Sequence, residues 1–112
     1  MNIQIYARSK CFDSKKAERW FKERRIKYQL IDLDGKGLSP RELESVIAAV
    51  GLEELIDTKS KSPDAAVMTY LSAREQKIEK LLDDPRLIKS PVVRNGKLAT
   101  VGYRPEIWEK WE

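Results

Sequence analysis

Residues Ile3 to Ile26 read IQIYARSKCFDSKKAERWFKERRI, and the reading of this stretch decides the fold. Its first residues alternate, with Ile3 and Ile5 set against Gln4, which predicts a strand. Ala17, Trp20, Phe21 and Arg24 then recur at helical spacing, so the period changes from two to 3.6 within a few residues. Cys11, the only cysteine in the chain, stands at that change. The start of a helix presents unpaired N–H groups and a partial positive charge, and both favour a thiolate. Arg8, Lys10, Lys15 and Lys16 add formal charge around it, and such surroundings depress a cysteine pKa and make the sulfur nucleophilic. Asp13 opposes them unless it serves as the helix N-cap, a place for which Ser14 is the other candidate. The alternative is an inert thiol packed at a loop, since free cysteine is often buried.

Working outward, Arg24 and Arg25 suit the C-terminal end of this helix. Tyr28–Asp32 then reads as a second strand, apolar on both faces, laid parallel to the first through a right-handed helical crossover. Asp34–Gly37 is a turn. Ser39-Pro40-Arg41-Glu42 joins a capping box to proline in the first helical turn, and Leu43, Val46, Ile47 and Val50 form the buried stripe up to a terminal Gly51. Leu52, Leu55 and Ile56 predict a further short turn. Helix starts follow at Ser62-Pro63 and at Ser72-Ala73-Arg74-Glu75, the latter another capping box with Ile78, Leu81 and Leu82 inward. A last turn from Asp84-Pro85 carries Leu87 and Ile88. From Ser90 the period is again that of strands: Pro91–Arg94, an Asn95-Gly96 type I′ turn, then Lys97–Val101. Gly102 ends that strand, and Pro105 opens a final helix whose packing side is Ile107, Trp108 and Trp111.

The 112 residues suit one domain with a real core. Net charge is +4, from 22 basic and 18 acidic residues that look mixed along the chain. Such mixing suggests a solvated surface, and direct nucleic-acid binding is not expected. No apolar run reaches the roughly 18 residues of a membrane helix, and a secretory leader is not apparent, so a soluble, cytoplasmic protein is expected. One cysteine and no histidine exclude an internal disulfide, a zinc site and His-assisted catalysis.

The order β-α-β, helices, β-β-α, with a cysteine after the first strand and a proline opening the third, resembles the ArsC/Spx family of arsenate reductase-like, glutaredoxin-related proteins. The likeness is carried by IYARSKCFDSKKAERWFKERRIKYQLIDL, GLSPRELESVIAAVGLEELIDTKS and IKSPVVRNGKLATVGYRPEIW, in that order. It implies an α/β thioredoxin-like fold, a single domain over residues 1–112 with a four-stranded mixed sheet, a helical insertion over about residues 38–88, and a cis peptide at Ser90-Pro91. It also implies an ArsC-type thiol oxidoreductase without a bound cofactor, with Cys11 as nucleophile, glutathione as co-substrate and a glutaredoxin as reductant. Lys10 and Lys15 would assist, while Ser90 and Pro91 would shape the wall facing the sulfur. The family's arginines, which hold the oxyanion, fall here at Lys59, Ser90 and Val101, with Arg104 near the last; Arg94 is a further candidate for charge. None of the three positions keeps arginine, whose planar fork suits a tetrahedral oxyanion better than an ammonium does, so arsenate itself is not the expected substrate. Spx-type members bind the RNA polymerase α subunit and carry a second cysteine three places after the first. Ser14 stands there, which excludes an intramolecular disulfide switch and leaves a protein-binding module as the alternative reading.

Overall fold

Alternation in the first strand sends Ile3 and Ile5 to one side of a sheet and Gln4 and Tyr6 to the other, and everything else packs on those two faces. In the computed structural model, which describes residues 1–111, the strands are β1 (Ile3–Ala7), β2 (Tyr28–Asp32), β3 (Val92–Asn95) and β4 (Leu98–Val101). They form one mixed sheet in the order β2-β1-β3-β4, with β2 parallel to β1 and the other pairs antiparallel. The helices are α1 (Phe12–Glu23), α2 (Leu33–Lys36), α3 (Pro40–Val50), α4 (Leu52–Leu55), α5 (Ala65–Met68), α6 (Arg74–Asp83) and α7 (Pro105–Trp108). A 3-10 turn, Pro85–Leu87, leads back to the sheet.

One face, built on Ile3, Ile5 and Val93, is covered by Ala17, Trp20 and Phe21 of α1 and by Trp108 of α7. The other, built on Tyr6, Ile31 and Val92, is covered by Leu43, Val46 and Ile47 of α3 and by the later insertion, including Leu55, Leu81, Leu87 and Ile88. Serine and glutamate begin α3 as expected: Ser39 Oγ accepts the Glu42 N–H, and Glu42 Oε1 accepts the Ser39 N–H.

Several local expectations are corrected. The Ser72 capping box does not form, because α6 starts one residue later with Ala73 at the cap position and no side-chain cap bond. The hairpin turns on Gly96 and Lys97, since Asn95 pairs with Leu98 and remains in β3. Positive φ occurs only at Gly96, the first central position, as in a type II′ turn. Asn95 is held by the sheet: it lies opposite Ile3, and its Oδ1 accepts the Asn2 N–H. Strand β2 is an edge strand rather than one buried on both faces; Ile31 is covered, whereas Leu30 is 53% exposed because α1 lies over β1 and β3. In α7 only Trp108 is fully packed, and Ile107 is exposed.

Arg8 ties the insertion to the end of β1. Its Nε donates to Asp34 Oδ1 at 2.7 Å, its Nη1 to the Ile88 carbonyl at 2.5 Å, and its Nη2 to the Pro85 carbonyl. Arg8→Ala leaves the Ile88 carbonyl unpaired and takes one of two donors from the Pro85 carbonyl, which keeps the Ile88 N–H, and is expected to lower stability by about 1–3 kcal/mol. Arg8→Lys should recover little of that, because an ammonium cannot reproduce the fork. Urea unfolding of the three proteins checks both.

Candidate active site at Cys11

Between β1 and α1 the chain turns in four residues, Arg8 to Cys11. The Cys11 N–H donates to the Arg8 carbonyl at 3.1 Å, the Arg8 N–H donates to Ser14 Oγ at 3.2 Å, and the Cys11 carbonyl accepts the Lys15 N–H as the helix begins. Cys11 itself therefore occupies the cap position, with extended backbone angles (φ −88°, ψ 120°). The expectation of Asp13 or Ser14 there is corrected: both lie inside the first turn. Across the gap, the Ser90-Pro91 peptide is cis, and the Ser90 carbonyl lies 3.6 Å from Cys11 Sγ, close enough to accept from the thiol.

Opposing influences act on the sulfur. Partial burial pushes its pKa up, but the hydroxyls of Ser14 and Ser90 and the backbone N–H groups of Ser14 and Asp13 outweigh that, and the pKa is lowered. These donors stabilise the anion by hydrogen bonding, and the last two belong to the unpaired N–H set of the helix start. Cys11 is half-buried rather than sealed in the core. The arrangement favours the ionised form of the thiol over what a free cysteine would show.

Alkylation by iodoacetamide should accelerate with pH around a midpoint below the free-cysteine value of about 8.5. Ser14→Ala removes a donor to the anion, and its midpoint should move up. The same sign governs stability: the thiolate contribution is complete above the unfolded pKa and is lost as pH falls through the lower folded value. A midpoint unmoved by Ser14→Ala would contradict the assigned donor.

Among the anticipated site residues, Ser90 adjoins the sulfur directly and the buried Pro91 follows it at the start of β3. Lys10 and Lys15 flank Cys11 along the chain, both exposed. The others are placed elsewhere. Lys59 is exposed in a turn where its N–H donates to Asp57, and the neighbouring Ser60 hydroxyl donates to the Arg86 carbonyl. Arg94 stands opposite Gln4, far along β3 from Ser90, where Nη1 donates to Gln4 Oε1 at 2.9 Å and to the Tyr6 hydroxyl at 3.3 Å, and lies 3.7 Å from Glu42. The Tyr6 hydroxyl donates to Glu42 at 2.7 Å, and burial first, then that hydrogen bond, push its pKa up to about 12. Arg104 Nε donates to the Val101 carbonyl. Two contributions went unread in the sequence. Ser14 as a donor to sulfur was signalled by its position three residues into a helix start, whereas the Arg8 clamp left no local signal.

The family model for the ArsC family matches residues 6–111. The chain belongs to the ArsC family. It is 29% identical to the global transcriptional regulator Spx 2 of Oceanobacillus iheyensis, over the whole of this chain and 94% of that protein. Its structure is similar to that of an ArsC family related protein from Bacteroides fragilis, with a TM-score of 0.87, 24% identity, and coverage of 100% of this chain and 98% of that one. The glutaredoxin-like NrdH-redoxin of Escherichia coli matches more distantly, at a TM-score of 0.52 and 19% identity over 100% and 96% of the two chains, which places this ArsC-family sheet among thioredoxin-like folds. No group of metal-binding side chains occurs among the described residues, nor any helix long and apolar enough to cross a membrane.

Proposed function

We propose that this ArsC-family protein is a single-cysteine thiol oxidoreductase with glutathione as co-substrate. The observation that carries the reading is the half-buried Cys11 at the start of α1, facing Ser90, with its pKa lowered by Ser14, Ser90 and the first-turn N–H groups. The Cys11 thiolate attacks one sulfur of glutathione disulfide; a Cys11–glutathione disulfide forms, the original S–S bond breaks, and glutathione thiolate leaves. A second thiol, that of a glutaredoxin, then takes the glutathione and returns Cys11 as thiolate, so two electrons are exchanged without a bound cofactor. Ser14 offers no second sulfur, so resolution is intermolecular. Arsenate is a poor candidate substrate: Lys59, Ser90 and Val101 stand where the family's arginines would, and Arg8, Arg94 and Arg104 are engaged elsewhere.

Incubation with glutathione disulfide should yield one adduct per chain, mapped to Cys11 by mass spectrometry and removed by glutaredoxin with glutathione. Failure to form the adduct at a pH where the thiol is ionised would end this reading. The similarity to Spx 2 favours a second one, a protein-docking module acting on transcription machinery such as the RNA polymerase α subunit, in which Cys11 takes no part in binding. Binding that survives Cys11→Ser, together with no thiol transfer by the unaltered protein, would select it.

A further inference from the structure

The positive charge of this protein is not spread as it looked in the linear sequence. Residues 10–27 hold eight basic and three acidic side chains, while the rest of the chain holds fourteen and fifteen. The whole surplus is therefore carried by α1 and its flanks, and Cys11 is the cap residue of α1. Among the described residues, the ion pairs use Arg8, Lys77, Lys80, Arg86 and Arg94; none uses a cation from 10–27. Lys15, Lys16, Arg19 and Lys22 all lie on the outward side of α1, opposite Ala17, Trp20 and Phe21. Two cations are held in place by aromatic faces, Lys16 Nζ 4.6 Å from the Tyr103 ring centre and the Arg24 guanidinium 4.1 Å from that of Trp20. At the head of the same side, one residue after Cys11, Phe12 is 78% exposed.

We propose that the outward side of α1 docks a thiol-disulfide protein whose reactive sulfur lies beside an apolar recess in an acidic surface. Phe12 enters the recess, the cations of α1 meet the carboxylates, and the two sulfurs are brought into line. The proposal rests on the thiol chemistry assigned to Cys11 and names the macromolecule that completes it. Exposed charges of one sign accelerate encounter with a complementary partner more than they tighten the complex. A large exposed aromatic at the head of such a patch, beside the sulfur, supplies burial that charge alone does not. A nucleic acid is the less suitable occupant, because Asp13, Glu18 and Glu23 interrupt the helix and repel a continuous phosphate chain. A protein partner can answer those carboxylates with bases of its own. The step served is thiol exchange: the partner thiolate attacks the glutathione sulfur of the Cys11–glutathione disulfide, that S–S bond breaks, and Cys11 leaves as thiolate.

The test uses full-length protein loaded at Cys11 with a glutathione thiosulfonate, so that it runs whether or not glutathione disulfide loads the protein unaided. The probe is a purified glutaredoxin of net negative charge. Its second-order rate of adduct removal should fall by about tenfold or more in Arg19→Glu/Lys22→Glu at low ionic strength, and the gap should close near 0.5 M salt. Phe12→Ala should slow the reaction at both salt levels, and removal by dithiothreitol should be unchanged in every variant. Equal rates for the charge-reversed and original proteins at low salt would overturn the proposal. So would a duplex DNA arm in which the reversal abolishes binding at physiological salt while glutaredoxin reacts normally. A protein that refuses glutathione disulfide yet shows the salt-dependent glutaredoxin effect would retire the co-substrate reading and keep the docking face.

Discussion

Cys11→Ser is expected to slow glutathione transfer by roughly a thousandfold or more, while shifting unfolding stability by only about 0.5 kcal/mol. The large effect follows from chemistry at one atom. A serine hydroxyl is not ionised near neutrality, and the donors that hold the Cys11 anion, the Ser14 and Ser90 hydroxyls and the N–H groups of Ser14 and Asp13, cannot close that gap. The small effect follows from location, for Cys11 is a half-buried residue at a helix start and belongs to neither packed face. Transfer is measured by mass spectrometry against time, and stability by urea unfolding. Undiminished transfer in the serine variant would mean that the chemistry lies elsewhere.

The second large effect is on stability. Trp108→Ala should cost about 3–5 kcal/mol, a substantial part of the roughly 5–15 kcal/mol that holds a domain together. Helix α7 has only four residues and is kept on the sheet by this side chain. The indole is buried, edge-on to Trp20 at 5.4 Å and to Tyr103 at 5.6 Å, and tilted 5.0 Å from Phe21. Its Nε1 donates to Thr100 Oγ1 at 2.8 Å, so truncation also strands a buried hydroxyl. Thr100→Val in the Trp108→Ala background should recover part of the loss, because it removes that hydroxyl. A loss below about 1 kcal/mol would show that α7 contributes little to the fold.

What could be read without coordinates depended on how local the deciding interaction was. Ser39 and Glu42 close their capping box within one turn, and it appears as the spacing predicts. Ser72 and Glu75 have the same spacing, yet α6 begins with Ala73. Asn95-Gly96 has the composition of a turn, but Asn95 is claimed by β1 through its pairing with Ile3 and its bond to Asn2, neither visible in the hairpin itself. The edge position of β2 was hidden because strand order is decided by partners remote in sequence. The position of Cys11 at the start of a helix was legible from the change of period, and the cis Ser90-Pro91 peptide agrees with what the family resemblance implies. Arg94 was a misleading cation: the alternation of β3 sets it with Val92 on the α3 side, where Glu42 and Tyr6 engage it. The basic face of α1 was masked by averaging over the whole chain, since a modest total conceals a local surplus balanced by a neutral remainder.

Ser14 in place of a second sulfur bears on time as well as chemistry. A protein with two neighbouring thiols can discharge an adduct by itself, at a tempo set by its own backbone. In the reaction proposed above, the modified state has no internal exit, so its lifetime is dictated by how much external thiol arrives. Under that proposal the adduct is a mark erased only from outside.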